Sequence, residues 1–421
     1  MTGSTAMGGS SLLPFRFTVI ATLIVVSLSG AEAGIGINYG TLGDNLPSPT
    51  QVASFLKAAS ETPISISKVK LFNPDAAILS AFANTGIDIV IGMSTAELIE
   101  IGVHGSASLA MQWVKDNVVP YVPATKIVAI AAGNEVVGTH DKALIGHMVP
   151  AMQNLHEALS SLNLTAPIQV SSPFSLGILH SSVPPSSATF KKPSLMAPFL
   201  SFLATTGSPF MANVYPFFAY TADPSPFTLD YALFNSSVGY TDPLTNLHYT
   251  GMFDAQLDAV YAAMAHMNFT NISIMVSETG WPSAGDPSQV GVNALNAQTY
   301  VNNLIKHVLS DKGTPLRPHQ PLDAYIFSLF NEDLKPGPTS ERHYGLFRTD
   351  FSPVYSTILS DSALLIDTSP SHNASLASKL APTPAPPLEP GSPSPPSFSS
   401  RLVPAYFLTL PFLVCTNLLL V

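Results

Sequence analysis

The sequence predicts an α/β fold, specifically a (β/α)8 TIM barrel, and three observations carry that expectation. Between Gly34 and about Ser360, short β-rich runs recur at spacings of tens of residues. Each run is followed by a stretch of helical periodicity, an alternation that reads as βα units. Runs such as IDIVIG and KIVAIAAG are apolar almost throughout, as strands covered on both faces of a parallel sheet must be.

In chain order the candidate strands are Ile35 to Tyr39, Lys68 to Phe72, Ile87 to Met93, Ile127 to Gly133, Ile168 to Ser172, Phe210 to Tyr215, Ile272 to Ser277 and Asp323 to Phe330. Eight βα units in one domain point to a closed ring, whose usual length of about 250 residues stretches past 400 with loop insertions. The alternative is an open doubly wound sheet, which would place a Gly-X-Gly-X-X-Gly turn after its first strand. Here Gly34-Ile35-Gly36 lies before or within that strand instead. The stretch from Tyr215 to Asp254, rich in Pro, Asp, Phe and Tyr, is too long for a plain βα loop. It is expected to form a small subdomain after strand six, over the barrel mouth.

The ends of the 421-residue chain read differently from its middle. Arg16, the apolar run Phe17 to Leu28 and the small residues around Ala31 and Ala33 have the pattern of a signal peptide over residues 1–33. Residues 361–401 are a Ser/Pro/Ala-rich linker, and 402–421 form an apolar tail with no basic flank after it. A retained tail anchor would be held by Lys or Arg on its cytosolic side. The pattern fits a glycosylphosphatidylinositol attachment signal better, with Asn373-Ala374-Ser375 and Gly391-Ser392 both offering small residues for the lipid. The expected location is therefore secreted, on the outer face of the plasma membrane. Residues 34–360 remain as the barrel domain.

The single cysteine, Cys415, lies in that tail, so neither disulfides nor thiol catalysis are expected in the domain. Asn-X-Ser/Thr sequons at Asn163, Asn235, Asn268, Asn271 and Asn373 suit a glycoprotein, although so short a motif also arises by chance. The formal charge of −10 with no basic cluster argues against a nucleic-acid partner. The eleven histidines are scattered, with no His-Glu-X-X-His motif, so no metal or other cofactor is expected. No Gly-X-Ser-X-Gly elbow supports a serine nucleophile.

In this barrel, functional groups sit at the C-terminal ends of the strands. Strand four ends in Gly133-Asn134-Glu135 and strand seven in Ser277-Glu278-Thr279-Gly280-Trp281. Strands four and seven of an eight-stranded ring lie nearly across from each other, so both acids face one mouth. Glycoside hydrolysis needs such a pair: one acid protonates the leaving oxygen, and a second carboxylate meets the charge at the anomeric carbon. In a retaining enzyme the second attacks directly, and the two groups stand about 5 to 5.5 Å apart. Taken alone, either glutamate is as well read as an ion-pair or capping residue, and Trp281 is either core or the floor of a sugar subsite. Aromatics near the ends of strands one and six, Tyr39 and Tyr215, are likewise either packing or stacking platforms. Strand eight leads into Glu332, Lys335 and Glu341 in a Pro/Gly-rich loop, which is either a solvated turn or a charged network around the acids.

The stretches GIGINYGTLGDNLPSP, FNPDAAILSAFANTGIDIVIGM, AAGNEV, NVYPFFAY, VSETGWPSAG and LFNEDLKPGPTSERHYGLF closely resemble plant glycoside hydrolase family 17, the glucan endo-1,3-β-glucosidases. Together they sample nearly all of residues 34–360. The resemblance implies retaining endo-hydrolysis of β-1,3-glucan, with Glu135 as acid/base and Glu278 as nucleophile. It implies a supporting network of Glu332, Lys335 and Glu341, and a sugar cleft lined by Tyr39, Asn134 and Tyr215. Asn134 would then bond the sugar 2-hydroxyl. Phe217 stands where the family often has tyrosine, and no cysteine-rich carbohydrate-binding module follows the barrel. An anchored member of this kind resembles enzymes that trim callose at the wall face, including near plasmodesmata, acting as a monomer with the polysaccharide and the lipid as its partners. Two readings compete: a hydrolase of mixed-linkage β-1,3-1,4-glucan, and a non-hydrolytic glucan-binding wall protein, which the presence of both glutamates disfavours.

Overall fold

The computed structural model describes residues 1, 3, 34–60, 66–103, 106–138, 142–162, 164 and 167–359. Apart from residues 1 and 3, the expected signal peptide lies outside the described residues, as do the linker, lipid site and tail, with Asn163 and Asn373.

The chain begins its alternation with β1 (Gly34–Tyr39), α1 (Pro49–Ser60), β2 (Ile66–Leu71), α2 (Ala76–Ala81), β3 (Asp88–Met93), α3 (Thr95–Val103), α4 (Ala107–Asn117), β4 (Lys126–Ala132) and α5 (Lys142–Ser161). It continues through β5 (Gln169–Ser171), β6 (Pro173–Ser175), the short pair β7 (Leu179–Ser181) and β8 (Thr189–Phe190), then α6 (Pro193–Thr206) and β9 (Phe210–Asn213). The insertion expected after strand six follows. It contains α7 (Pro216–Ala222), α8 (Leu229–Ala232) and the hairpin β10 (Tyr240–Thr241) with β11 (His248–Tyr249). The barrel resumes with α9 (Met252–His266), β12 (Ile274–Thr279), α10 (Ala294–Val308) and β13 (Asp323–Ile326).

The main sheet runs β5-β4-β3-β2-β1-β13-β12-β9-β6, and its ladders are parallel. Its two outer members, β5 and β6, are separated in the chain only by Ser172. One strand path therefore pairs with β4 on one side and β9 on the other, and this closes the ring. The break comes from Pro173, which has no N–H to give a ladder.

Two apolar cores follow from the alternation of side chains along each strand. Outward residues such as Ile35, Ile37, Val69, Ile89, Ile91, Ile130 and Val276 pack against the helices. The inner cluster is small: Val90, Ala129, Ala131, Met211, Met275 and Tyr325. Gly36 is required here, because a Cβ at that position would run into the Tyr325 ring. Lys68 and Asp323 pair on the same inner face.

Strand eight is shorter than its sequence reads. After Ile326 the ladder becomes irregular: Phe327 and Leu329 still donate to the Thr279 and Asn38 carbonyls of the flanking strands, but Ser328 between them donates to the Tyr344 carbonyl. Strand seven starts and ends two residues later than expected, which places Glu278 inside it. A second excursion, β7 with β8, lies between strand five and α6.

Candidate active site

Four strands deliver the site. Gly133 follows β4 with φ +69°, a conformation open to glycine, and Glu135 itself holds φ +51°. A left-handed glutamate costs about 1 kcal/mol; the fold holds it there through a bond from its N–H to the Pro173 carbonyl at 3.0 Å.

Glu278 reaches the same mouth through a bulge. In the pairing of β12 with β9, Val276 faces Ala212 and Glu278 faces Asn213, so Ser277 is the extra residue. A bulge re-aims side chains. Both Ser277 and Glu278 consequently turn to the interior, while Thr279 returns to the outer face and bonds Tyr300 of α10.

Asn213, at the end of β9, joins the two acids. Its Nδ2 donates to Glu135 Oε1 at 2.9 Å, and its Oδ1 accepts from Ser277 Oγ at 2.7 Å. The same Nδ2 lies 3.5 Å from Asn134 Oδ1. Glu278 is 7% exposed and each of its oxygens has a donor: Lys70 Nζ to Oε1 at 2.8 Å and Tyr215 hydroxyl to Oε2 at 3.1 Å. Burial pushes the Tyr215 phenol well above its ordinary pKa, and the Glu278 charge adds to this. It therefore stays a neutral donor.

Glu135 is half-buried. Burial and the neighbouring Glu278 push its pKa up to about 6, against the Asn213 bond and the Lys70 charge, which favour the anion. Below about pH 6 a protonated Glu135 thus faces Glu278, whose two oxygens each carry a donor, and such unequal environments can separate an acid from a nucleophile.

The charged loop expected from the sequence is gathered at this mouth. Glu332 is 4% exposed and accepts the Leu42 N–H at 2.9 Å. Burial raises its pKa, and Glu278 and Glu341 act in the same direction. Lys335 sits 3.8 Å over the Phe327 ring and 3.3 Å from Glu341. Two aromatics of the expected site are deeply buried. Trp281 is wholly buried, donates its indole N–H to the Gly291 carbonyl at 3.0 Å and meets Phe217 edge-on at 5.2 Å. Tyr39 is 3% exposed and packs edge-on against Phe330. Both rings are packed in the structure. Phe217 is 1% exposed, and Phe218 beside it is the ring that stands open. Asn235, Asn268 and Asn271 are exposed.

Lys70, Asn213 and Ser277 were missed in the sequence reading. Lys70 carried a signal: with Lys68 it puts cations on alternate positions of a strand expected to be covered on both faces. Asn213 and Ser277 carried none, since the bulge that places them is not written in the residue pattern.

A barrel with an acid and a donor-held carboxylate at its C-terminal rim is the architecture of a glycosidase. The chain belongs to glycosyl hydrolases family 17, whose sequence pattern matches residues 35–358. Glucan endo-1,3-beta-glucosidase 11 of Arabidopsis thaliana is 45% identical over 356 residues, covering 84% of this chain and 80% of its own length. The glucan endo-1,3-beta-D-glucosidase of Olea europaea is 42% identical over 349 residues, covering 82% and 74%. Among solved structures, CJP38, a beta-1,3-glucanase and allergen of Cryptomeria japonica pollen, superposes with a TM-score of 0.72 at 45% identity, covering 77% of this chain and 98% of its own. A structure from a pair of plant beta-glucan endohydrolases with distinct substrate specificities gives 0.69 at 35% identity, covering 76% and 99%.

Proposed function

We propose that this protein hydrolyses internal β-1,3-glucosidic bonds of a β-1,3-glucan with retention of configuration, Glu135 serving as acid/base and Glu278 as nucleophile. The observation that carries the reading is the Asn213 bridge, which ties Glu135 to the bulged strand of Glu278 at one mouth. The glucan specificity rests on the named relatives, which are endo-1,3-β-glucosidases over most of this chain. In the first step Glu278 attacks the anomeric carbon as the glycosidic bond breaks, and the Glu135 proton goes to the leaving oxygen. In the second, Glu135 takes a proton from water as that water displaces Glu278. Glu332, Lys335 and Glu341 hold the charge balance around the pair, and Asn134, exposed beside Glu135, meets the sugar 2-hydroxyl.

The reading includes secretion and a lipid anchor on the outer face of the plasma membrane. Its support is the composition of residues 1–33, 361–401 and 402–421. The test of the activity is reducing-end release from laminarin, mixed-linkage glucan and cellulose by the wild type and Glu278→Gln. Loss of laminarin hydrolysis by several orders of magnitude in the variant is expected. A folded wild type that binds laminarin and releases nothing overturns the reading.

A further inference from the structure

We infer that Lys70 is a positioning residue for the second half of the reaction: it fixes Glu278 through Oε1, leaves Oε2 as the attacking oxygen, and speeds release of the sugar from Glu278. The inference rests on the reading of Glu278 as the nucleophile.

Lys70 projects from β2 into the barrel and is 2% exposed. Its Nζ is held on three sides: 2.8 Å from Glu278 Oε1, 3.4 Å from Asn38 Oδ1, and 4.1 Å over the Phe72 ring. Asn38 is itself anchored, its amide donating to the Tyr325 carbonyl at 3.2 Å. The ammonium is thus fixed in place. A second cation at the mouth, Lys335, is engaged with Glu341 and the Phe327 ring. Tyr215 holds Oε2 with a longer, neutral bond at 3.1 Å. The weaker donor is on the oxygen that must be freed to attack.

The two chemical steps use this cation oppositely. In the first step Oε2 forms a bond to the anomeric carbon and the carboxylate loses its charge, so a fixed ammonium favours the starting state. In the second, water forms the new C–O bond, its proton passes to Glu135, and the C–Oε2 bond breaks with its electron pair returning to Glu278. Negative charge then grows beside Lys70. An interaction stronger in the transition state than in the ground state accelerates a step, and for Lys70 that holds only in the second.

A dinitrophenyl β-laminaribioside tests this, because its leaving group needs no proton and its slow step is release of the sugar. For Lys70→Met, kcat should fall on the order of 100-fold, the size seen when one preorganised donor is removed. KM should fall with it, and the glycosyl-enzyme should accumulate on Glu278 in intact-mass spectra. Lys70→Arg should restore most of kcat. Lys70→Gln, whose amide donates without charge, serves should the Met variant fail to fold, with the same split expected. Equal loss of kcat and kcat/KM with no accumulated intermediate, in whichever variant folds, overturns the inference. Separately, a dinitrophenyl 2-deoxy-2-fluoro-β-laminaribioside should label Glu278 of the wild type as dinitrophenolate leaves; absence of that label sinks the nucleophile reading itself, not the role of Lys70.

Discussion

Asn213 and Glu135 are joined by a hydrogen bond of 2.9 Å from Nδ2 to Oε1, and the amide's orientation is set by Ser277 donating to Oδ1. The bond favours ionised Glu135, while burial and Glu278 favour its proton. In the proposed mechanism these opposing contributions balance Glu135 between two roles, giving its proton in one step and taking one in the next.

Asn213→Ala is expected to upset that balance. With Glu135 near 6, kcat/KM should fall as pH rises above about 6. Removing the Asn213 donor takes away a contribution that lowers the Glu135 pKa, so the alkaline limb should move upward. Activity at the optimum should drop about 10- to 100-fold through lost positioning. A pH profile with an unmoved alkaline limb would remove Asn213 from the account.

Trp281 separates a packing role from a sugar contact. Its complete burial against Phe217, Tyr220 and Tyr300 predicts that Trp281→Ala loses about 3–5 kcal/mol of stability. The milder Trp281→Phe should lower Tm while leaving KM for laminarin unchanged. A raised KM at unchanged Tm would mean that the indole touches substrate.

Asp258 on α9 makes stability depend on pH away from the site. It is 1% exposed, its Oδ2 accepts the Leu316 N–H at 2.8 Å, and burial, with Asp254 adding, pushes its pKa up to about 7. An unfolded aspartate titrates near 3.9 (about), so folding favours the protonated form. That stabilisation is complete below about pH 4 and is lost as pH rises through 7, a loss of at most roughly 4 kcal/mol. Asp258→Asn should therefore narrow the difference in Tm between about pH 5 and pH 8. An unchanged difference would mean that the carboxyl is not protonated in the fold.

The barrel was legible because its signal is repeated: eight buried strands, each an apolar run, and the two glutamates at the ends of strands four and seven. The loop of Glu332, Lys335 and Glu341 was legible from its charge density. Three features were not. The sequence reading ends strand five at Ser172, whereas past a break there the strand path continues through Pro173–Ser175. The bulge at Ser277 shifts Glu278 from beyond the strand to within it, and bulges leave no mark in composition. Asn213 looks like any strand-terminal polar residue until the register of β9 against β12 is known, because its role depends on two partners 78 and 64 residues away in the chain.

Retention is the claim on which the roles of both acids depend, and the configuration of the first product tests it most directly. Proton NMR of laminarin oligosaccharides during the first minutes of hydrolysis should show the β-anomer first, with the α-anomer following only as mutarotation proceeds. An α-anomer at the outset would mean direct attack by water, and would contradict the assignment of Glu278 as nucleophile.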